Sequence, residues 1–267
     1  MKLTIEHTTH YKYEEAVRQS IQYLRLTPHD TNRQKILNWE LDLPCRASES
    51  TDGYGNVLHV ITLDEPHDEI CIQVRGEVEI DQEDLEDDDY GLSPLVYLRN
   101  TDLTEANDTI KQYADSILGD EPSLASLKSL MTDLLKRMPY SPGSTEVYES
   151  ASDVFAKEKG VCQDHSHVFL AACRHKQIPA RYVSGYLYTP DTHHAASHAW
   201  VEAWLDGTWH TFDVTNGLTT PSQHLKLAVG LDYLDACPVR GVRFGGGNER
   251  MSAVAKVDQT SRCTVQQ

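Results

Sequence analysis

Gly160-Val161-Cys162-Gln163-Asp164-His165-Ser166-His167-Val168-Phe169 (GVCQDHSHVF) places one cysteine beside an aspartate and two histidines, just ahead of an apolar run. Gly160 stops the short helical pattern SASDVFAKEKG before it, and Pro179 closes the pattern CQDHSHVFLAACRHKQI after it. The stretch therefore reads as a buried helix that begins at or near Cys162. A thiol is a weak nucleophile until it ionises, and a helix N-terminus supplies a partial positive charge that favours the thiolate. The same helix start offers backbone N–H groups suited to an oxyanion.

Working outward, ARYVSGYLYT reads as a strand, and ASHAWVEAWLDGTWHTFDV as two strands around an Asp206-Gly207 turn. Alternation puts His198, Trp200 and Glu202 on one face and Ala199, Val201 and Ala203 on the other. Counting back from the turn, Asp213 pairs near Trp200, within two positions of His198. A nucleophile at Cys162, a base at His198 and an orienting acceptor at Asp213 make a triad. Taken singly, each residue has a commoner role. A lone helical cysteine is usually a small core residue, a strand histidine is usually structural, and Asp213 before Thr215-Asn216-Gly217 suits a turn. Their order and local contexts together favour the triad.

Metal binding is the competing use of these side chains. His165 and His167 stand two apart on a helix and cannot face one site. A structural zinc site usually shows compact pairs such as CxxC or HxxxH. Two pairings occur, Cys162/His165 at i, i+3 and His194/His198 at i, i+4, but the second falls on a loop and a strand, where helical spacing means little, and no CxxC pair occurs. No metal and no cofactor are expected. His193 and His194 read as loop residues near a cleft mouth, and His165 is given no role.

Upstream, LTIEHTTHYKY, LNWELDL, NVLHVITL and EICIQVRGEVEI alternate as strands, with TDGYGNV as a turn in which Gly53 and Gly55 are available for positive φ. They predict a small β-sandwich. TEANDTIKQYADSIL, with Thr104 or Asn107 near its start, and PSLASLKSLMTDLLKRM, capped by Ser123, predict helices. The expected organisation is an α+β chain: a β domain over 1–100, a catalytic core over 101–234 and a β extension over 235–267.

Composition excludes several functions. The net charge of -17 argues against nucleic acid or an anionic membrane as partner. Residues 81–89, DQEDLEDDD, hold seven acids and read as a solvated loop. No stretch approaches a membrane span. The N-terminus alternates where a signal peptide needs an apolar core. The six cysteines (45, 71, 162, 173, 237 and 263) are scattered, as for reduced thiols, so a cytoplasmic location is expected.

Three blocks, GVCQDHSHVFLAACRHKQIPARYVSGYL, SHAWVEAWLDGTWHTFD and FDVTNG, resemble the nucleophile, histidine and aspartate blocks of the transglutaminase-like superfamily of papain-like cysteine enzymes. YKYEEAVRQSIQYLRLTP, DGYGN and AVGLDYLDACPVRGVRFGGG resemble the regions that flank this core in its bacterial branch. The resemblance implies a Cys-bearing helix packed on an antiparallel sheet, with Cys162 as nucleophile, His198 as base and acid, and Asp213 as orienter. It implies acyl transfer at amide or isopeptide bonds of a peptide or protein substrate. Three positions depart from the branch: Val214 where proline is usual, Leu231 where arginine is usual, and His165 where a hydrophobic residue is usual. Hydrolysis is favoured over crosslinking, since residues 81–89 lack the spaced ligands of a calcium loop. A transamidase or amide ligase is the second reading, and a binding module without turnover the third.

Overall fold

A computed structural model describes residues 1–81, 91–190 and 197–259. The acidic run beyond Asp81, His193, His194 and Cys263 lie outside the described residues. Strands β1 (Lys2–Leu24), β2 (Gln34–Asp42), β3 (Ser48–Thr51), β4 (Val57–Leu63) and β5 (His67–Ile80) come first. A 3-10 turn (Pro94–Leu98) precedes helices α1 (Asp108–Leu118), α2 (Leu124–Arg137), α3 (Ala151–Lys157) and α4 (Cys162–His175). Then come β6 (Ala180–Leu187), β7 (Ser197–Leu205), β8 (Thr208–Phe212), β9 (His224–Gly230), α5 (Tyr233–Ala236), β10 (Val239–Gly245) and β11 (Glu249–Gln259). The α+β class is as expected.

The N-terminal strands form one sheet in the order β2-β5-β1-β4-β3, and β10 and β11 also pair with β1. β1 runs eleven residues beyond the alternating stretch that ends at Tyr13. Its first half lies between β5 and β11, its second between β4 and β10, with register irregularities around Lys12–Val17 and Val17–Gln19. The charged segment Glu14-Glu15 hides this continuation from a periodicity reading. Its N–H groups find carbonyls at Asn248 and Gly246, supplied by the far end of the chain. In the Asp52–Asn56 turn the Asp52 carboxylate accepts from the Tyr54 and Asn56 N–H groups, and only Gly55 of the two glycines uses positive φ, at 89°.

The second sheet has the order β8-β7-β6-β9, all antiparallel. Helix α4 packs on one face, where Val168, Phe169 and Ala172 meet Ala199, Val201, Ala203 and Phe212. Trp200, on the opposite alternation, packs with Val183, Val229 and Tyr54. Every residue of β6 and β9 is buried.

β9 would be an open edge, but two buried side-chain amides close it. Gln34 donates to the Lys226 carbonyl and accepts the Lys226 N–H, each at 2.9 Å. Asn56 does the same with Val229, both bonds at 2.8 Å. The N-terminal sheet is thereby joined to the second by backbone-like pairing. On the far side of the core the buried guanidinium of Arg174 donates to the carbonyls of Tyr97, Ala180 and Leu231 and to the Thr104 hydroxyl.

Asn56→Ala leaves a buried N–H and a buried carbonyl of Val229 unpaired. At about 1–3 kcal/mol per orphaned group, the expected loss is about 2–6 kcal/mol by urea denaturation. Ser50→Ala, at an exposed hydroxyl, serves as control and should lose less than about 0.5 kcal/mol.

Candidate active site

The helix start at Cys162 is built by Asp164. Its carboxylate accepts the Val161 N–H at 2.8 Å and the Thr145 hydroxyl at 2.7 Å. Burial pushes the Asp164 carboxyl up, against the two hydrogen bonds that it accepts. The bond to Val161 satisfies one of the donors that a helix N-terminus leaves open. Gly160 serves this cap rather than stopping the preceding helix. α3 ends at Lys157 with Glu158 in the left-handed region at φ 52°, whereas a Cβ on Gly160 would meet the Asp164 Cβ at 2.7 Å.

The loop 139–149 is tied to the same point. Ser141 N–H donates to the Gly160 carbonyl at 2.8 Å, and the Gln163 amide donates to the Val147 carbonyl at 2.8 Å. Cys162 is the first residue of α4 and is half-buried. Helix geometry gives the N–H groups of this first turn no intrahelical acceptor, and they carry the positive end of the helix dipole.

His198 is the second residue of β7, and Asp213 directly follows β8. The observed pair Val201↔Phe212 sets Asp213 opposite Trp200, the register counted from the Asp206-Gly207 turn. His198 Nε2 stands 2.8 Å from Asp213 Oδ2. An ionised carboxylate only accepts, so Nε2 carries the proton and Nδ1 is the nitrogen left for Cys162. Burial pulls the His198 imidazole down, but the bond to Asp213 and the side-chain hydrogen bond with Cys162 outweigh it and lift the pKa to about 10. Burial also raises Asp213, yet the hydrogen bonds from His198 and His224 hold its carboxyl far below the usual range.

Sequence reading missed two partners of this set. His224, at the start of β9, donates from Nε2 to the same Oδ2 at 3.0 Å. The Asn216 side chain donates to Oδ2 at 2.8 Å, and its N–H to Oδ1 at 3.2 Å. Reciprocal backbone bonds between Asp213 and Leu218 close the loop that carries Asn216 and the buried Val214. His224 had no local signal, because β9 lies at the opposite edge of the sheet from β8, with β7 and β6 between them. Asn216 sits in the turn motif already noted and is reachable from it.

His165 gains a place. Its Nε2 donates to the Met138 carbonyl at 2.7 Å, and its Nδ1 accepts the Thr215 hydroxyl at 2.8 Å. It thus ties the aspartate loop to the end of α2, and burial keeps the ring neutral by lowering its pKa. His167 accepts the Tyr233 N–H at 3.1 Å, and burial pushes it down to about 3. Neither ring has the other as partner.

The ligand-capable atoms of His198, Asp213 and His224 all lie within 4.8 Å of one another. Both Nε2 atoms reach the carboxylate at ordinary N–H···O distances. A cation there would have to displace both protons, so the arrangement as it stands is a hydrogen-bonded relay.

Residues 3–79 match the family described as the bacterial transglutaminase-like N-terminal region, and residues 111–214 match the transglutaminase-like superfamily. An uncharacterized protein of Mycobacterium leprae is 29% identical over 279 residues, spanning 96% of this chain and 98% of its own. An uncharacterized protein of Mycobacterium tuberculosis is 28% identical over 272 residues, spanning 90% and 87%. A crystal structure of a Cytophaga hutchinsonii protein, described as a candidate cysteine protease, superposes with a TM-score of 0.79 over 98% of this chain and 92% of that one, at 24% identity. That likeness is one of fold.

Asp164→Ala removes the cap on the Cys162 turn and should cost about 1–2 kcal/mol in thermal or urea unfolding. Asp164→Asn keeps an acceptor for the Val161 N–H and should recover about half of that loss.

Proposed function

We propose that this chain, which belongs to the transglutaminase-like superfamily, is a thiol-dependent acyl-transfer enzyme that hydrolyses amide or isopeptide bonds of peptides or proteins. The observation that carries the reading is the His198–Asp213 pair, hydrogen-bonded at 2.8 Å through Nε2, with the Cys162 thiol at the start of α4 acting to raise the His198 pKa.

In this reading the Cys162 thiol proton passes to His198, the sulfur attacks the carbonyl carbon and a C–S bond forms. The carbonyl oxygen takes the negative charge against the free N–H groups at the start of α4. The His198 imidazolium gives its proton to the leaving nitrogen, the C–N bond breaks, and a thioester remains. His198, now neutral, takes a proton from water. The resulting hydroxide attacks the thioester, and an acid and the Cys162 thiol are released. Asp213 holds the ring and steadies its charged form throughout. If an amine replaces water in the last step, the product is a new amide. The fraction of thioester captured by added amine separates transamidation from hydrolysis.

Among the described residues, no helix is long and apolar enough to cross a membrane. A cytoplasmic location is kept as part of the proposal, to be checked by cell fractionation.

Iodoacetamide should label Cys162 faster than the other cysteines. Cys173 is wholly buried and its thiol pushed well up, and burial raises Cys237 to about 11. Cys162→Ala should abolish turnover, and Asp213→Ala should lower kcat/KM by about 10³-fold or more. Equal labelling of all cysteines sinks the proposal. A Cys162→Ala variant with unchanged effects in cells would leave a binding module.

The raised His198 sets the alkaline limit. Its charged form is held by Asp213 and Cys162, so it persists above the ordinary histidine range and is lost as pH rises through about 10. The pH–rate profile should therefore fall near pH 10. In Asp213→Ala that fall should move to lower pH.

A further inference from the structure

His224 is a buried histidine on which the proposed reaction places no demand. It stands on β9, two strands from the β7 that carries His198, with β6 between them. Gly185 of β6 makes the approach possible. A Cβ there would lie 2.0 Å from the Leu225 carbonyl oxygen and 2.7 Å from the Trp200 ring. The indole therefore lies over the strand at the glycine, its centroid 4.8 Å from the His224 ring at 65° and 6.1 Å from that of His198 at 26°.

The His224 side chain is 1% exposed. Nε2 donates to Asp213 Oδ2 at 3.0 Å, and Nδ1 has no hydrogen-bond partner among the described residues. A side chain kept for packing alone would be apolar, since a buried bare nitrogen is costly. What offsets that cost is the bond to Asp213. The charged and titratable groups acting on His224 are Asp213, His198 and Arg33. Burial lowers its pKa against the pull of Asp213, so the ring is neutral with its proton on Nε2.

We propose that His224 is a positioning residue for the proposed reaction: it fixes the Asp213 oxygen that receives His198 and takes part of that oxygen's charge. This rests on the reading of Cys162, His198 and Asp213 as the reacting set. Oδ2 serves three donors, from His198, His224 and Asn216. Each donor reduces what the carboxylate gives to the others. His198 must surrender a proton to the leaving nitrogen, and an undivided Asp213 would hold that proton too tightly. General acid catalysis favours a group whose pKa lies near the working pH, and charge sharing moves His198 in that direction.

The test compares His224→Leu, which removes the N–H, with His224→Gln, whose amide restores one near the Nε2 position. The His198 imidazole is titrated by NMR in each protein, alongside the pH profile of Cys162 alkylation by iodoacetamide. In His224→Leu both the titration and the alkaline limb should move up by about half to one pH unit, the equivalent of one hydrogen bond. In His224→Gln both should return toward wild type. No shift, a shift downward, or a loss of melting temperature alone overturns the proposal. If the leucine variant does not fold, imidazole nitrogen shifts of the wild-type protein still decide. A neutral His224 protonated on Nε2 from pH 6 to 9 supports the assignment, and a proton on Nδ1 overturns it. The NMR titration needs no turnover. Failure of Cys162 to label selectively would thus reject the proposed chemistry without deciding the role of His224.

Discussion

The buried carboxylate of Asp213 is the constraint around which the second sheet is organised. It has no solvent exposure, and a desolvated charge survives only when its lone pairs are met by good donors. Four donors meet it: His198 from β7, His224 from β9, and the side chain and backbone of Asn216 from its own loop. Those donors come from both ends of a four-stranded sheet, so strand order, hairpin register and the Gly185 gap all serve one charge. His165 extends the network by tying Thr215 of the aspartate loop to the Met138 carbonyl at the end of α2.

The same sheet carries a second buried ionic set. Arg181 and Lys226 both bind Glu202, with contacts of 2.7 and 2.6 Å. The Arg181 guanidinium also lies 4.1 Å over the Trp209 ring. Burial pushes Glu202 up, but the two cations hold it below its usual value. Buried ion pairs contribute little net stability when desolvation is counted. Here the set spans β6, β7 and β9, and fixes their relative positions on the face that His198 shares.

The two sheets share an apolar cluster, in which Tyr186, Leu225 and Leu227 pack with core residues of the N-terminal sheet, and matched hydrogen bonds add to it. Gln34 and Asn56 occupy the edge of β9 as a neighbouring strand would. His7 of β1 bonds the Tyr186 hydroxyl of β6 at 2.5 Å. The chain's last strands return to pair with β1, so the N-terminal sheet contains strands that follow the second sheet in the sequence.

The sequence by itself determined what short-range physics controls. The glycine and apolar run around Cys162 specified a helix start, and the Asp206-Gly207 turn specified a register that brought Asp213 opposite Trp200 and thus near His198. Ser123 and Asn107 cap their helices as residue type dictates. Only the tertiary structure decided the rest. Gly160 answers to the Asp164 side chain, a contact that strand and helix periodicity do not encode. β1 continues through Glu14 and Glu15 because residues more than two hundred positions away supply their hydrogen bonds. His224, Gln34 and Asn56 are unremarkable in their local sequence, and each gains its role from a partner on another strand. Periodicity reports burial within one element, whereas the satisfaction of a buried charge or an open strand edge depends on which elements the fold brings together.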